Sequence, residues 1–160
     1  MTREIPLTQG KFAIIDDDDF DIVNKHKWCA VKDGGTFYAR TNVLRKGGGY
    51  IAISMHRLIL GLIPNDGKQV DHRDCDGLNN TRANIRFSTQ TENLRNQRIS
   101  SRNKSGFKGV SWFKREKKWK ADIRLDGKGI FLGIFATKEE AHQAYCMAAT
   151  EYFGKFARVR

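Results

Sequence analysis

Between residues 70 and 93 the chain gathers Asp71, His72, Asn80, Asn84 and Asn93 into one polar block, VDHRDCDGLNNTRANIRFSTQTEN. These residue types suit phosphodiester hydrolysis, which needs a base for the attacking water and a cation for charge developing on the leaving oxygen. His72 is the natural base, because an unperturbed imidazole titrates near neutrality. Asp71 and Asn93 offer hard oxygen donors, which suit Mg²⁺ or Mn²⁺ better than zinc. Adjacent residues on a strand point to opposite faces, so Asp71 and His72 can serve one site only at a bulge or a strand end. Asn79, Asn80 and Asn84 are equally good turn formers. His56 reads either as a hydrogen-bonded core histidine or as a phosphate contact, whereas His26 and His142 lie on charged helices with no chemistry expected.

The elements that must position this block follow from patterning. Ser88 or Thr89 can cap a helix bearing Asn93 in its first turn, with Glu92 completing a capping box on Thr89. Upstream, residues 11–15 read as a strand followed by the acidic run 16–19, and Asp17–Asp21 as the opening of a short helix that Lys25, His26 and Lys27 close. That run lacks the Gly at position six and the Glu at position twelve of a calcium loop. Residues 28–32, 37–42 and 50–56, with glycine turns at 34–35 and 47–49, form a β-meander. Residues 64–67 mark a further turn. Downstream, 99–105 is Ser-rich and basic, as a linker would be. Strands then follow at 107–113, 118–125 and 129–135. Thr137 and Glu140 cap a helix whose Ala141, Ala144, Tyr145, Ala148 and Ala149 share one face. The expected domains are 1–98, with its core motif at 70–97, and 106–160, joined by the linker; the fold class is α+β.

Charge separates the two halves. The net charge is +11. Residues 1–92 hold 13 Lys/Arg against 12 Asp/Glu, and residues 93–160 hold 16 against 6. A basic field concentrated in the last third attracts polyanions through phosphate neutralisation and counterion release. Alternation in 118–125 turns Lys118, Lys120, Asp122 and Arg124 to one sheet face and Trp119, Ala121, Ile123 and Leu125 to the other. Such a face can enter a DNA major groove. The odd, scattered set Cys29, Cys75 and Cys146 argues against a disulfide framework or a cysteine zinc site, and fits a reducing cytoplasm. No run is apolar enough for a bilayer span, and residues 1–12 have no apolar core of a signal peptide.

Asp71-His72, Asn84 twelve residues on and Asn93 nine beyond resemble the HNH motif of phage homing endonucleases, with MHRL at 55–58, LNN at 78–80 and NIR at 84–86 in the matching places. The resemblance covers most of 10–97. It implies a ββα-metal (His-Me finger) unit preceded by the β-meander, in which His72 activates water. It also implies that Asp71 and Asn93 hold one divalent metal, while Asn84 braces the loop and orients the imidazole. Asn93 replaces the third-position His of many relatives. Residues 106–158 are similar to the AP2 DNA-binding domain, on FKGV at 107–110, KWKADIR at 118–124, FLGIF at 131–135 and EEAHQAY at 139–145. That family packs a three-stranded antiparallel sheet on one helix and inserts sheet side chains into the major groove. By matching position, Arg124 and Phe131 lie near bases, with Asp122 able to accept from cytosine. Arg115, Lys117, Lys118 and Lys120 hold phosphates, as do Arg95, Arg98, Arg102 and Lys104 in and before the linker. Ser111 and Phe113 replace first-strand arginines of the plant family, so its sequence preference does not carry over.

Together these resemblances imply a homing-type endonuclease acting on double-stranded DNA as a monomer or a DNA-induced dimer. It would nick one strand, in the cytoplasm of a bacterial host. The competing expectation is a DNA-binding regulator with a vestigial nuclease domain.

Overall fold

The computed structural model describes every residue except Lys46, Pro64, Asn65 and Arg160. The expected turn at 64–67 therefore falls partly outside the described residues. The chain is α+β, built from small antiparallel sheets and a few helices, and divides into two compact units, Met1–Asn93 and Leu94–Arg160.

The first unit opens on a hairpin of β1 (Thr2–Pro6) and β2 (Phe12–Asp16). The sequence reading had no β1. A 3₁₀ turn, Asp17–Asp19, leads into a single turn of helix, α1 (Phe20–Val23). The helix expected to reach Lys27 stops at Val23, whose carbonyl accepts a 2.9 Å bond from the Trp28 indole N–H. The meander follows as β3 (Cys29–Asp33), β4 (Thr36–Leu44) and β5 (Tyr50–Ser54), in that spatial order. His56 was placed on the last strand, but the chain turns helical at Met55, forming α2 (Met55–Ile59). The apolar spacing of Met55 and Ile59 is four residues, one helical face, and both are buried. Then come β6 (Gln69–His72), a loop, β7 (Ile85–Ser88) and α3 (Gln90–Asn96). The core joins Ile5, Ala13, Ile15, Val23, Trp28, Met55, Ile59 and Ile85.

In the second unit β8 (Val110–Phe113), β9 (Lys118–Leu125) and β10 (Lys128–Phe135) form an antiparallel sheet with β9 central. One face packs on α4 (Lys138–Phe153), which opens with a capping box between Thr137 and Glu140. Ile123 sits against Tyr145, Ala149 and Phe153, and Ala121 against Val110 and Ala141. The small side chains of α4 let it lie close to the sheet.

The segment expected as a linker, 99–105, is instead bonded into this unit. Asn103 accepts from the Gly106 amide and donates to the Phe107 carbonyl, and the Ser105 hydroxyl, 6% exposed, lies 2.8 Å from the Val110 carbonyl. Ser and Asn side chains close such local bonds readily, and here they order the segment. Among the described residues no helix is long and apolar enough to cross a membrane.

Candidate active site

β6 and β7 pair in a register that sets Asp71 opposite Arg86 and His72 opposite Ile85. Directly opposed residues share a face and can touch. Asp71 and Arg86 do: the guanidinium Nε and Nη2 both donate to Asp71 Oδ2, at 2.8 and 2.6 Å, with both residues buried. His72 ends the strand and packs on other groups. Its Nε2 lies 3.3 Å from Asn80 Oδ1, its ring edge meets His56 at 5.0 Å between centroids, and Tyr38 lies at 5.7 Å. The imidazole is 5% exposed.

Asn80 is wholly buried, and its amide nitrogen donates to the Leu78 carbonyl, which fixes the amide with Oδ1 toward the imidazole. An amide oxygen can only accept, so the Asn80 contact is a hydrogen bond in the tautomer that carries the proton on Nε2. Burial lowers the His72 pKa, against the opposing pull of the Asn80 bond and the Asp74, Asp71 and Asp76 carboxylates. Burial likewise pushes His56 down to about 3, helped by His72, Arg57 and Arg40. Two neutral imidazoles can stand edge to face where two cations could not.

The loop from β6 to β7 is a hydrogen-bonded cage. Asn84 donates to Asp74 Oδ1 at 2.9 Å and to the Asn79 carbonyl at 2.7 Å, and its own Oδ1 accepts from the Asp74 amide. Asn79 donates to Asp74 Oδ2. Asn84 therefore holds the loop, and Asn80 Oδ1 lies beside the imidazole Nε2. The loop is sewn to β2 by the Ile14 amide on the Leu78 carbonyl and the Asn80 amide on the Ile14 carbonyl, 2.8 and 2.7 Å. The acidic run completes the anchor. Asp16 accepts from the Arg82 amide, and buried Asp19 takes a two-pronged grip on the Arg82 guanidinium at 3.0 and 2.6 Å. Gly77 lets the loop press against β4: a Cβ there would stand 2.5 Å from both the Phe37 carbonyl oxygen and the Tyr38 ring.

Asn93 is the fourth residue of α3, which the Thr89–Glu92 capping box opens: the Thr89 amide donates to Glu92 Oε2 and the Glu92 amide to the Thr89 hydroxyl. Among the described residues, no hydrogen bond ties its side chain to Asp71 or His72, and no group of three His, Cys, Asp or Glu side chains is arranged to hold a metal. The two ligands that the resemblance implies, Asp71 and Asn93, would offer one carboxylate and one amide oxygen. That set fits a hard cation that keeps most of its waters and does not fit zinc. Such a cation would share the Asp71 carboxylate with Arg86.

The sequence analysis assigns no role to Tyr38, Asp74 or Arg86, although Arg86 ends the matched NIR at 84–86. Arg86 was within reach of it, because pairing two strands of a hairpin around 71 and 86 opposes a carboxylate and a guanidinium. Tyr38 comes from a strand remote in sequence and left no local signal.

In the second unit Lys118 and Arg124 are exposed on the outward sheet face, with Phe131 60% exposed beside them. Asp122, half-buried on the same face, has Lys120 Nζ 2.7 Å from its Oδ2. Arg95 is also engaged, 3.4 Å from Asp126 and stacked over Phe153. Arg98, Arg102, Lys104 and Lys117 are exposed, and Arg115 lies over Phe113 beside Glu116.

The HNH endonuclease family model matches residues 55–95, which span α2, β6, the loop, β7 and most of α3. An uncharacterized HNH endonuclease of Acanthamoeba polyphaga mimivirus is 36% identical over 154 residues, covering 93% of this chain and 74% of the relative. Protein 3.8 of Escherichia phage T7 is 31% identical over 110 residues, 62% of this chain and 81% of that protein. No solved structure matches. The agreement with the mimivirus protein runs through both units, and the chain belongs to the HNH endonuclease family.

Proposed function

We propose that this chain is a metal-dependent DNA endonuclease of the homing type, with His72 as its general base and its second, AP2-like unit as its grip on duplex DNA. The observation that carries the reading is the buried His72–Asn80 contact. By accepting from Nε2–H, Asn80 sets the tautomer in which Nδ1 takes a proton from water. The water oxygen bonds to phosphorus as the bond to the 3′ oxygen breaks, which leaves a 3′-hydroxyl and a 5′-phosphate. Arg86 fixes the rotation of Asp71, and Asp71 with Asn93 would hold one Mg²⁺ or Mn²⁺. A cation bound there supplies charge stabilisation for the leaving oxygen. Asn84 keeps the loop bearing Asn80 in shape. One site per chain suits nicking of a single strand.

Exposed Lys117, Lys118, Arg98, Arg102 and Lys104 would meet phosphates and raise local DNA concentration, with Arg124 nearer the base edges. The test is a supercoiled plasmid incubated with the protein while Mg²⁺ or Mn²⁺ is titrated. Metal-dependent conversion to the open circle, abolished by EDTA and shifted to higher metal in Asp71→Asn and Asn93→Ala, is expected. A protein that binds the plasmid equally with and without metal and never relaxes it would instead be a DNA-binding regulator.

A further inference from the structure

We propose that the outward sheet face of the second unit reads thymine methyl groups in the DNA major groove through Phe131 and Ile134. This rests on the proposal that the unit docks on duplex DNA.

Phe131 and Ile134 are three residues apart on β10, and a regular strand would send them to opposite faces. The ladder slips between them. Phe131 pairs with Asp122 and Gly133 with Ala121, which leaves Leu132 as the extra residue of a bulge. Leu132 turns into the core, and the strand resumes with its phase reversed, Ile134 opposite Lys120. Both apolar side chains therefore stand on the face of Lys118, Lys120, Asp122 and Arg124, 60% and 37% exposed. Bulges re-aim side chains and are frequent beside functional sites.

Charge decides which partner. The face carries Lys118, Lys120 and Arg124 in a segment holding 16 Lys/Arg against 6 Asp/Glu, so a second copy of the chain would meet like charge while DNA meets its complement. The Lys120–Asp122 pair lies between the two apolar residues, opposite both of them. Neither Phe nor Ile can hydrogen-bond a base edge. Of the four base pairs, only those with thymine place an apolar group in the major groove. Arg124 stands opposite Gly129, which has no side chain to crowd it, and remains available for a guanine edge.

The test uses the full chain in EDTA. Duplexes are selected from a random pool, and each thymine of the selected site is then replaced by deoxyuridine, which lacks only the methyl group. At least one replacement should weaken binding about three- to tenfold for the wild type. In Phe131→Ala or Ile134→Ala that sensitivity should vanish while the salt dependence of binding is unchanged. Phe131→Leu, which keeps an apolar contact, should retain part of it. Equal binding of thymine and deoxyuridine duplexes by the wild type overturns the proposal. If that happens while Lys118→Gln and Arg124→Gln still weaken salt-dependent binding, DNA docking stands and only thymine reading falls. If those two variants bind as wild type, the docking reading itself fails.

Discussion

Arg86 donates two hydrogen bonds to a single oxygen of Asp71, and both side chains are buried across one rung of the β6–β7 ladder. This two-point grip orients the carboxylate. It also commits the hairpin to this register, since a slip by one residue would bury both charges without a partner.

Arg86→Met should cost about 3–5 kcal/mol, because it leaves the Asp71 carboxylate buried and uncompensated. Adding Asp71→Asn should recover a large share, as removing both charges is far cheaper than removing one. Urea melts of the two single variants and the double variant check this. Additive losses would show that the pair is not coupled.

Asn80→Ala removes the acceptor that sets the His72 tautomer, and single-turnover nicking should fall about ten- to a hundredfold, the scale of losing a residue that orients a ligand or base. Asn84→Ala should act differently, chiefly as a stability loss of about 1–3 kcal/mol from the opened loop cage. Equal rates for Asn80→Ala and wild type would remove Asn80 from the mechanism.

His56 gives a pH dependence of stability. Its folded pKa, pushed to about 3 by burial and by the facing His72, Arg57 and Arg40, lies below the unfolded value of 6.5. Between these values the unfolded chain holds a proton that the folded chain lacks, so stability falls as the pH drops from about 6.5 toward 3. Because His56 keeps some exposure, the loss should be on the order of 2–4 kcal/mol rather than the full linkage. His56→Gln, which cannot titrate, should flatten that part of the curve relative to wild type in melts from pH 7 to 4. Parallel curves would contradict it.

Gly109 tests the core of the second unit. Its φ is +72°, and a Cβ would fall 2.1 Å from the Tyr145 ring and 2.7 Å from the Asp122 carbonyl oxygen. Gly109→Ala should destabilise by about 3 kcal/mol or more, whereas Gly127→Ala, at φ +81° with nothing within 4 Å, should cost about 1 kcal/mol. Thermal melts of both distinguish backbone strain alone from strain plus collision.

The sequence carried what is local. Both capping boxes, at Thr89–Glu92 and Thr137–Glu140, form as the spacing predicts, because each needs only four consecutive residues. Lys118–Leu125 is a strand at both of its predicted ends. The acidic run does open a helical turn at Asp17, but its sequence says nothing of the bonds from Asp16 and Asp19 to Arg82, more than sixty residues away. Tyr38 beside His72 was equally invisible, since tertiary packing alone brings it there. Residues 50–56 are expected as one strand, but the strand ends at Ser54, and burial of Met55 and Ile59 on one face makes the chain helical from Met55. Period-two alternation could not foresee that the Leu132 bulge would reverse β10.

The most direct measurement is the single-turnover cleavage rate of His72→Ala against wild type, on the same duplex, with protein in excess, saturating Mg²⁺, and DNA binding of the two shown to be equal. With His72 as general base, the rate should fall about 10²- to 10⁴-fold while affinity for DNA holds. A variant that cleaves within a few fold of wild type would place the base elsewhere and contradict the assignment.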